Sequence, residues 1–142
     1  MARKKSEKLV QEERDNSKNL MKKIVKILDD KLASEIEVID VSSLTSLCRY
    51  FIICSGESNV QLKAIAEEVQ YRLKHEDKVR PLNIEGLPDS GWILLDYVDI
   101  IVHVFLGDLR EFYRLERLWG QGEFLKLDKI LKQRGSKDED KD

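Results

Sequence analysis

Apolar residues recur at helical spacing from residue 20 onward: Leu20, Ile24, Ile27 and Leu28 are flanked by Met21, Val25 and Leu32. A stripe this wide predicts a helix that buries one side. The period then changes. "EIEVIDV" (residues 35–41) alternates, with Ile36, Val38 and Asp40 on one face and Glu37, Ile39 and Val41 on the other, and so predicts a strand near a sheet edge. "YFIICS" (50–55) is an unbroken apolar run rich in aromatic and β-branched residues, as in a strand covered on both faces. Gly56 ends it, and Ser58 stands three residues before Gln61, the spacing of a capping box. Leu62, Ile65, Ala66, Val69 and Leu73 then predict a helix over about 59–75.

"PLNIEG" (81–86) reads as a short strand and "LPDSG" (87–91) as a loop. "WILLDY" (92–97) and "IIVHVFL" (100–106) form a predicted hairpin around Val98-Asp99. Asp108, three residues before Glu111, caps a last predicted helix carrying Leu109, Phe112, Tyr113, Leu115, Leu118 and Trp119. That helix stops near Gly120 or Gly122, and a short helical turn is expected within 123–131. The central strand–helix–strand unit needs a parallel crossover, whereas the hairpin is antiparallel. The expectation is an α/β fold with a mixed five-stranded sheet and flanking helices. It occupies one domain over 19–131, between a charged N-terminal extension (1–18) and a charged C-terminal tail (132–142). Both tails lack hydrophobic periodicity and read as loose or frayed segments.

Composition narrows the function classes. A chain of 142 residues can bury a real core, and 42% apolar with 37% charged residues leaves a well-solvated exterior. No apolar run approaches the roughly 18 residues of a membrane span. The N-terminal segment lacks an apolar signal core, and its Glu7, Glu12, Glu13 and Asp15 are unlike a mitochondrial presequence, so a bacterial-type cytosol is expected. Cys48 and Cys54 fit no metal spacing and read as free thiols, while His75 and His103 stand far apart without a second ligand. From Pro81 to Leu109 there is no Lys or Arg, yet Glu85, Asp89, Asp96, Asp99 and Asp108 all fall there. Such a segment would repel nucleic acid and suits a basic protein partner. Solvated strand ends and turns are the plainer alternative.

Catalysis finds little support. Asp96 and Asp99 flank a turn, but no Asp-x-Asp follows "CSGES" as a nucleotidyltransferase would require, and no Walker-type Lys is present. His103 has no Ser or Cys nucleophile beside it in the sequence. No enzyme activity, metal or cofactor is therefore expected. Alternation instead places Trp92, Leu94 and Asp96 on one face of their strand and Ile93, Leu95 and Tyr97 on the other, with Ile101, His103 and Phe105 together on the next. Aromatic anchors rimmed by carboxylates are common at protein interfaces. Arg110, Tyr113, Glu116 and Trp119 would extend that surface, or simply be the charges and core of the last helix.

These stretches, "YFIICSGES", "NVQLKAIAEEV", "IEGLPDSGWILLDYVDIIVHVF" and "REFYRLERLW", resemble the ribosomal silencing factor family, also called RsfS or Iojap-related, in order and spacing over about residues 20–120. The resemblance implies a nucleotidyltransferase-like fold without the catalytic set. It implies binding to the large ribosomal subunit through ribosomal protein L-fourteen, a block to subunit joining under nutrient limitation, a part in large-subunit maturation, and a possible homodimer. Placed on this chain, the expected partner-binding residues are Glu85, Trp92, Asp96, Tyr97, Asp99, His103 and Arg110, with Trp92 and Tyr97 as apolar anchors. The alternatives weighed are a nucleotide-dependent transferase on the same fold and a purely dimeric adaptor. Val98 departs from the glycine that many relatives carry in the hairpin turn, and the N-terminal extension lies outside the resemblance.

Overall fold

The computed structural model describes residues 2–86 (side chains from residue 7), 89–107 and 121–131. The elements run α1 (Ala2–Asp30), β1 (Ser34–Asp40), β2 (Tyr50–Gly56), α2 (Asn59–Asp77), β3 (Asn83–Glu85), β4 (Trp92–Asp96), β5 (Ile100–Leu106) and β6 (Glu123–Leu125). The helix expected after Asp108, and Arg110 with it, lies outside the described residues.

One six-stranded mixed sheet has the order β3-β4-β5-β2-β1-β6. Only β2 and β5 pair in parallel, the chain passing between them through α2, β3 and β4, and every other neighbour is antiparallel. The expected five strands are therefore six. Glu123–Leu125 extends along β1, with Val38 opposite Leu125 and Ile39 opposite Phe124, where a helical turn alone was expected. That turn follows at 127–131. β2 sits at the centre and all seven of its residues are buried, as its continuous apolar run requires.

Both helices pack on one face of the sheet. Met21, Ile24, Val25, Ile27 and Leu28 of α1 and Leu62, Ile65, Ala66, Val69 and Leu73 of α2 join Val38, Ile52, Cys54, Leu95, Ile100, Val102 and Val104 in the main core. The helices are tied laterally by Lys23 to Asp77, Arg72 to Asp30 at 3.0 Å and Lys31 to Glu68 at 3.8 Å. α1 begins far earlier than its apolar stripe, running unbroken across the expected boundary at residue 18, and Ser17 is already buried. It ends in a Schellman motif without glycine: Ala33 N–H reaches the Leu28 carbonyl, Leu32 N–H reaches that of Asp29, and Leu32 has φ 60°. At α2, Ser58 Oγ accepts from Gln61 N–H at 3.1 Å, while the Gln61 side chain accepts from Glu57 N–H, one residue outside the expected box.

Candidate functional site

The opposite face of the sheet carries a second cluster: Ile39, Val41, Cys48, Phe51, Ile53 and Phe105, with Trp92 and Ile101 packed against it. Cross-strand register builds it. Trp92 lies opposite Phe105, Leu94 opposite His103, Asp96 opposite Ile101, and Glu85 opposite Leu94, so these side chains share one face. The rings of Trp92, His103 and Phe105 are nearly coplanar in orientation, with centroids 5.6–6.0 Å apart, and Phe51 stacks on His103 at 5.3 Å. Trp92 Nε1–H donates to His103 Nδ1 at 3.2 Å.

That bond fixes the imidazole. With Nδ1 accepting, the neutral ring carries its proton on Nε2, which is buried and has no partner among the described residues. Burial lowers the His103 pKa to about 4, and the side chain is 5% exposed. His103 is thus support beneath the indole rather than a surface contact. Among the described residues, those accessible on this face include half-buried Trp92, Leu94 and Ile101 and exposed Phe124, with exposed Glu85 and half-buried Asp96 at the β3 margin.

Two of the glycines in this region explain themselves. Gly86 has φ 116°, and a Cβ there would collide with the Trp92 carbonyl. Gly91 has φ 78° and donates its N–H to Asn59 Oδ1 at 3.0 Å, which ties the start of β4 to the start of α2.

Tyr97 does not stand beside Trp92. It is 6% exposed in the helix-covered core, its hydroxyl has no partner among the described residues, and burial pushes its pKa up to about 12. The expected pair of exposed anchors is thereby corrected: strand alternation sends Tyr97 through to the other face. Asp99 is exposed at the β4–β5 turn, yet heavily engaged. Its carbonyl accepts from Arg49 N–H at 2.8 Å and Tyr50 N–H at 3.0 Å, and its carboxylate accepts from Ser17 Oγ at 2.9 Å. Arg49 in turn donates to the Arg14 carbonyl at 2.7 Å. The charged N-terminal segment, to which the sequence assigned no role, therefore grips the turn. Ser17 could have been found, because it lies in helical phase with Met21, Ile24 and Leu28.

Cys48 and Cys54 are buried free thiols. Burial, and then the charges of Asp96 and Asp99, raise the Cys48 pKa, which keeps it in the unreactive thiol form. Among the described residues no His, Cys, Asp and Glu groups gather as a metal site, and no helix is long and apolar enough to cross a membrane.

The family model described as "Ribosomal silencing factor during starvation" matches residues 14–142, so the stretch of α1 carrying Arg14 and Ser17 lies inside the match. Ribosomal silencing factor RsfS of Bacillus subtilis is 36% identical over 113 residues, 80% of this chain and 95% of that protein. A crystal structure of a Chromobacterium violaceum protein superposes with a TM-score of 0.68 at 39% identity, covering 72% of this chain and 84% of that one. A mouse protein named for mitochondrial assembly of the ribosomal large subunit is 33% identical over 98 residues, 68% of this chain but 43% of its own length. With nine-tenths of its length under one family model, the chain belongs to the ribosomal silencing factor RsfS family.

Proposed function

We propose that this protein binds the large ribosomal subunit through ribosomal protein L-fourteen and blocks subunit joining by its bulk, lowering translation when nutrients are short. The reading needs no turnover and no cofactor, and it places the protein in the cytoplasm with 19–131 as the docking domain. A nucleotidyltransferase-like fold without the catalytic set and the option of a homodimer are parts of the same reading.

The single observation that carries it, beyond family membership, is the Trp92 face. A half-buried indole is held in one orientation by a buried histidine, beside Leu94 and Ile101 and at a margin bearing Glu85 and Asp96. An apolar centre with a carboxylate rim suits a partner surface of Lys and Arg around an apolar pocket. Asp99 would contact the partner at the periphery, and Arg110 is a further contact residue in the same reading. Tyr97 would act indirectly, through the β4–β5 turn.

Co-sedimentation with purified large subunits tests it. Truncating a central aromatic anchor costs about 2 kcal/mol or more, so Trp92→Ala should bind at least roughly tenfold more weakly. Wild-type protein in excess should slow the joining of large and small subunits, and Trp92→Ala should not. Full binding and full inhibition by a folded Trp92→Ala protein would refute the assignment.

A further inference from the structure

The outward side of α2 ends in a patch that the docking reading leaves unused. Leu62, Ile65, Val69 and Leu73 turn one side of this helix onto the sheet. Tyr71, Lys74 and His75, at the spacing of neighbours on a helix surface, face away from it. Lys78 and Arg80 follow at and beyond the helix end, and all five residues are exposed. The sheet stands between this patch and the Trp92 face.

We propose that the patch is a contact surface for single-stranded RNA. Charge supplies the first argument. All four carboxylates of α2 are already engaged: Glu67 with Lys63 at 4.0 Å, Glu68 with Lys31 at 3.8 Å, Glu76 with Arg72 at 3.2 Å, and Asp77 with Lys23. Lys74, Lys78 and Arg80 have no carboxylate partner among the described residues. Three cations are therefore left facing water while the acids around them are neutralised. The second argument is independent of charge. Tyr71 is 60% exposed, and the His75 ring lies against it with centroids 4.2 Å apart at 44°. A tyrosine supported on one side and open on the other is a platform for a base, and such stacking accepts any base. Helix stability explains less. A cation in the last turn complements the negative end of the helix, which accounts for Lys74 but neither for Arg80, past the helix end, nor for the exposed ring.

The same features choose among partners. An acidic protein surface would pair with the cations and leave Tyr71 unused. A duplex offers phosphates but no free base face. RNA rather than DNA is the strand that surrounds a member of a ribosomal family. The chain carries a net charge of −2, so its attraction to a polyanion has to be local. The competing local surface is residues 1–18, which hold six Lys and Arg against four Asp and Glu, and the experiment separates the two.

The full-length protein is titrated into a labelled single-stranded RNA of about 12 nucleotides and mixed sequence, within the span of ordinary single-strand sites, and followed by anisotropy. Saturable binding is expected, and with unlabelled RNA the amide shifts should centre on residues 71–80. Three neutralised phosphates set a slope of about −2 for log affinity against log salt. Lys74→Gln combined with Lys78→Gln should reduce that slope to about −0.7 and weaken binding roughly tenfold at low salt. Tyr71→Ala should weaken binding about fivefold or more with the slope unchanged, and Tyr71→Phe should restore it. Thermal unfolding checks that these variants at exposed positions stay folded. No saturation, or shifts confined to residues 2–18, would overturn the proposal. So would displacement by polyglutamate together with wild-type binding by Tyr71→Ala, which would identify an acidic protein as the partner instead. Trp92→Ala should bind this RNA as the wild type does, and its failure to do so would move the site off α2. Because the probe is naked RNA, the result stands apart from that of the large-subunit docking test.

Discussion

The Trp92 indole N–H donates to His103 Nδ1 at 3.2 Å, across neighbouring antiparallel strands in which Trp92 is aligned with Phe105 and His103 with Leu94. The bond is therefore diagonal, and it holds only while His103 is neutral. Protonation would place a second donor against the indole N–H.

Acid should consequently weaken the fold through this residue. In the unfolded chain His103 titrates near its ordinary 6.5, and in the folded protein near 4. Between those values the unfolded state holds the extra proton, so stability is lost as pH falls, reaching about 3 kcal/mol below the lower value. His103→Phe should lack this component. Urea unfolding of both proteins at neutral pH and midway between the two values checks it: the stability difference must shift toward the variant in acid. A difference independent of pH would mean that His103 is not buried as the neutral base.

Val98 has φ 74°, and Asp99 N–H bonds to the Tyr97 carbonyl at 3.0 Å across it, the pattern of a γ-turn with positive φ. A β-branched residue pays about 1–3 kcal/mol for such backbone. Glycine has no such cost but loses more entropy on folding, so Val98→Gly should stabilise by a net of about 1 kcal/mol. Thermal unfolding measures it, and a lower melting temperature would show that the 54%-exposed Val98 side chain contributes more than its strain removes.

Gly86 tolerates no side chain without moving Trp92. Gly86→Ala should destabilise by roughly 1–3 kcal/mol, combining positive φ with the collision at the Trp92 carbonyl. It should also change tryptophan emission in the still-folded fraction. A variant with native stability and native emission would disprove the close approach of β3 to β4.

Charge at the turn should act on association rate, over and above the stability lost with the Ser17–Asp99 bond, which Asp99→Lys and Ser17→Ala both remove. Asp99→Lys reverses an exposed charge next to the proposed docking face, so association with large subunits should slow and its salt dependence should change. Stopped-flow binding at two ionic strengths tests this, with Ser17→Ala as the comparison. Ser17→Ala removes the 2.9 Å bond, should cost about 1 kcal/mol of stability, and leaves the charge in place. Equal salt dependence for Asp99→Lys and wild type would remove electrostatics from the docking step.

Long periodic elements were legible in the sequence because packing and pattern agree there. Leu62, Ile65, Ala66, Val69 and Leu73, read as one helical stripe, are all buried on α2, and the apolar run of β2 is the covered centre of the sheet. β6 escaped because "EFL" is too short to display a period, and it exists through its pairing with β1. Tyr97 was misplaced for a different reason. Alternation separates it from Trp92, but only the structure reveals that α1 and α2 both cover the Tyr97 side. Ser17 was passed over as a polar residue in a charged segment although it continues the α1 stripe, and Arg14 left no signal because its contact is made by its backbone carbonyl. The histidine's supporting role depends on a diagonal register that no local pattern records.

The strand order has a consequence for synthesis of the chain. β1 is made early, yet its outer backbone groups find their partners only in Glu123–Leu125, near the end of the polypeptide. Until those three residues emerge, a nascent or truncated chain presents β1 as an unpaired margin to any extended peptide nearby. Truncation ahead of Glu123 would thus be felt as stickiness between molecules before it is felt at the docking face.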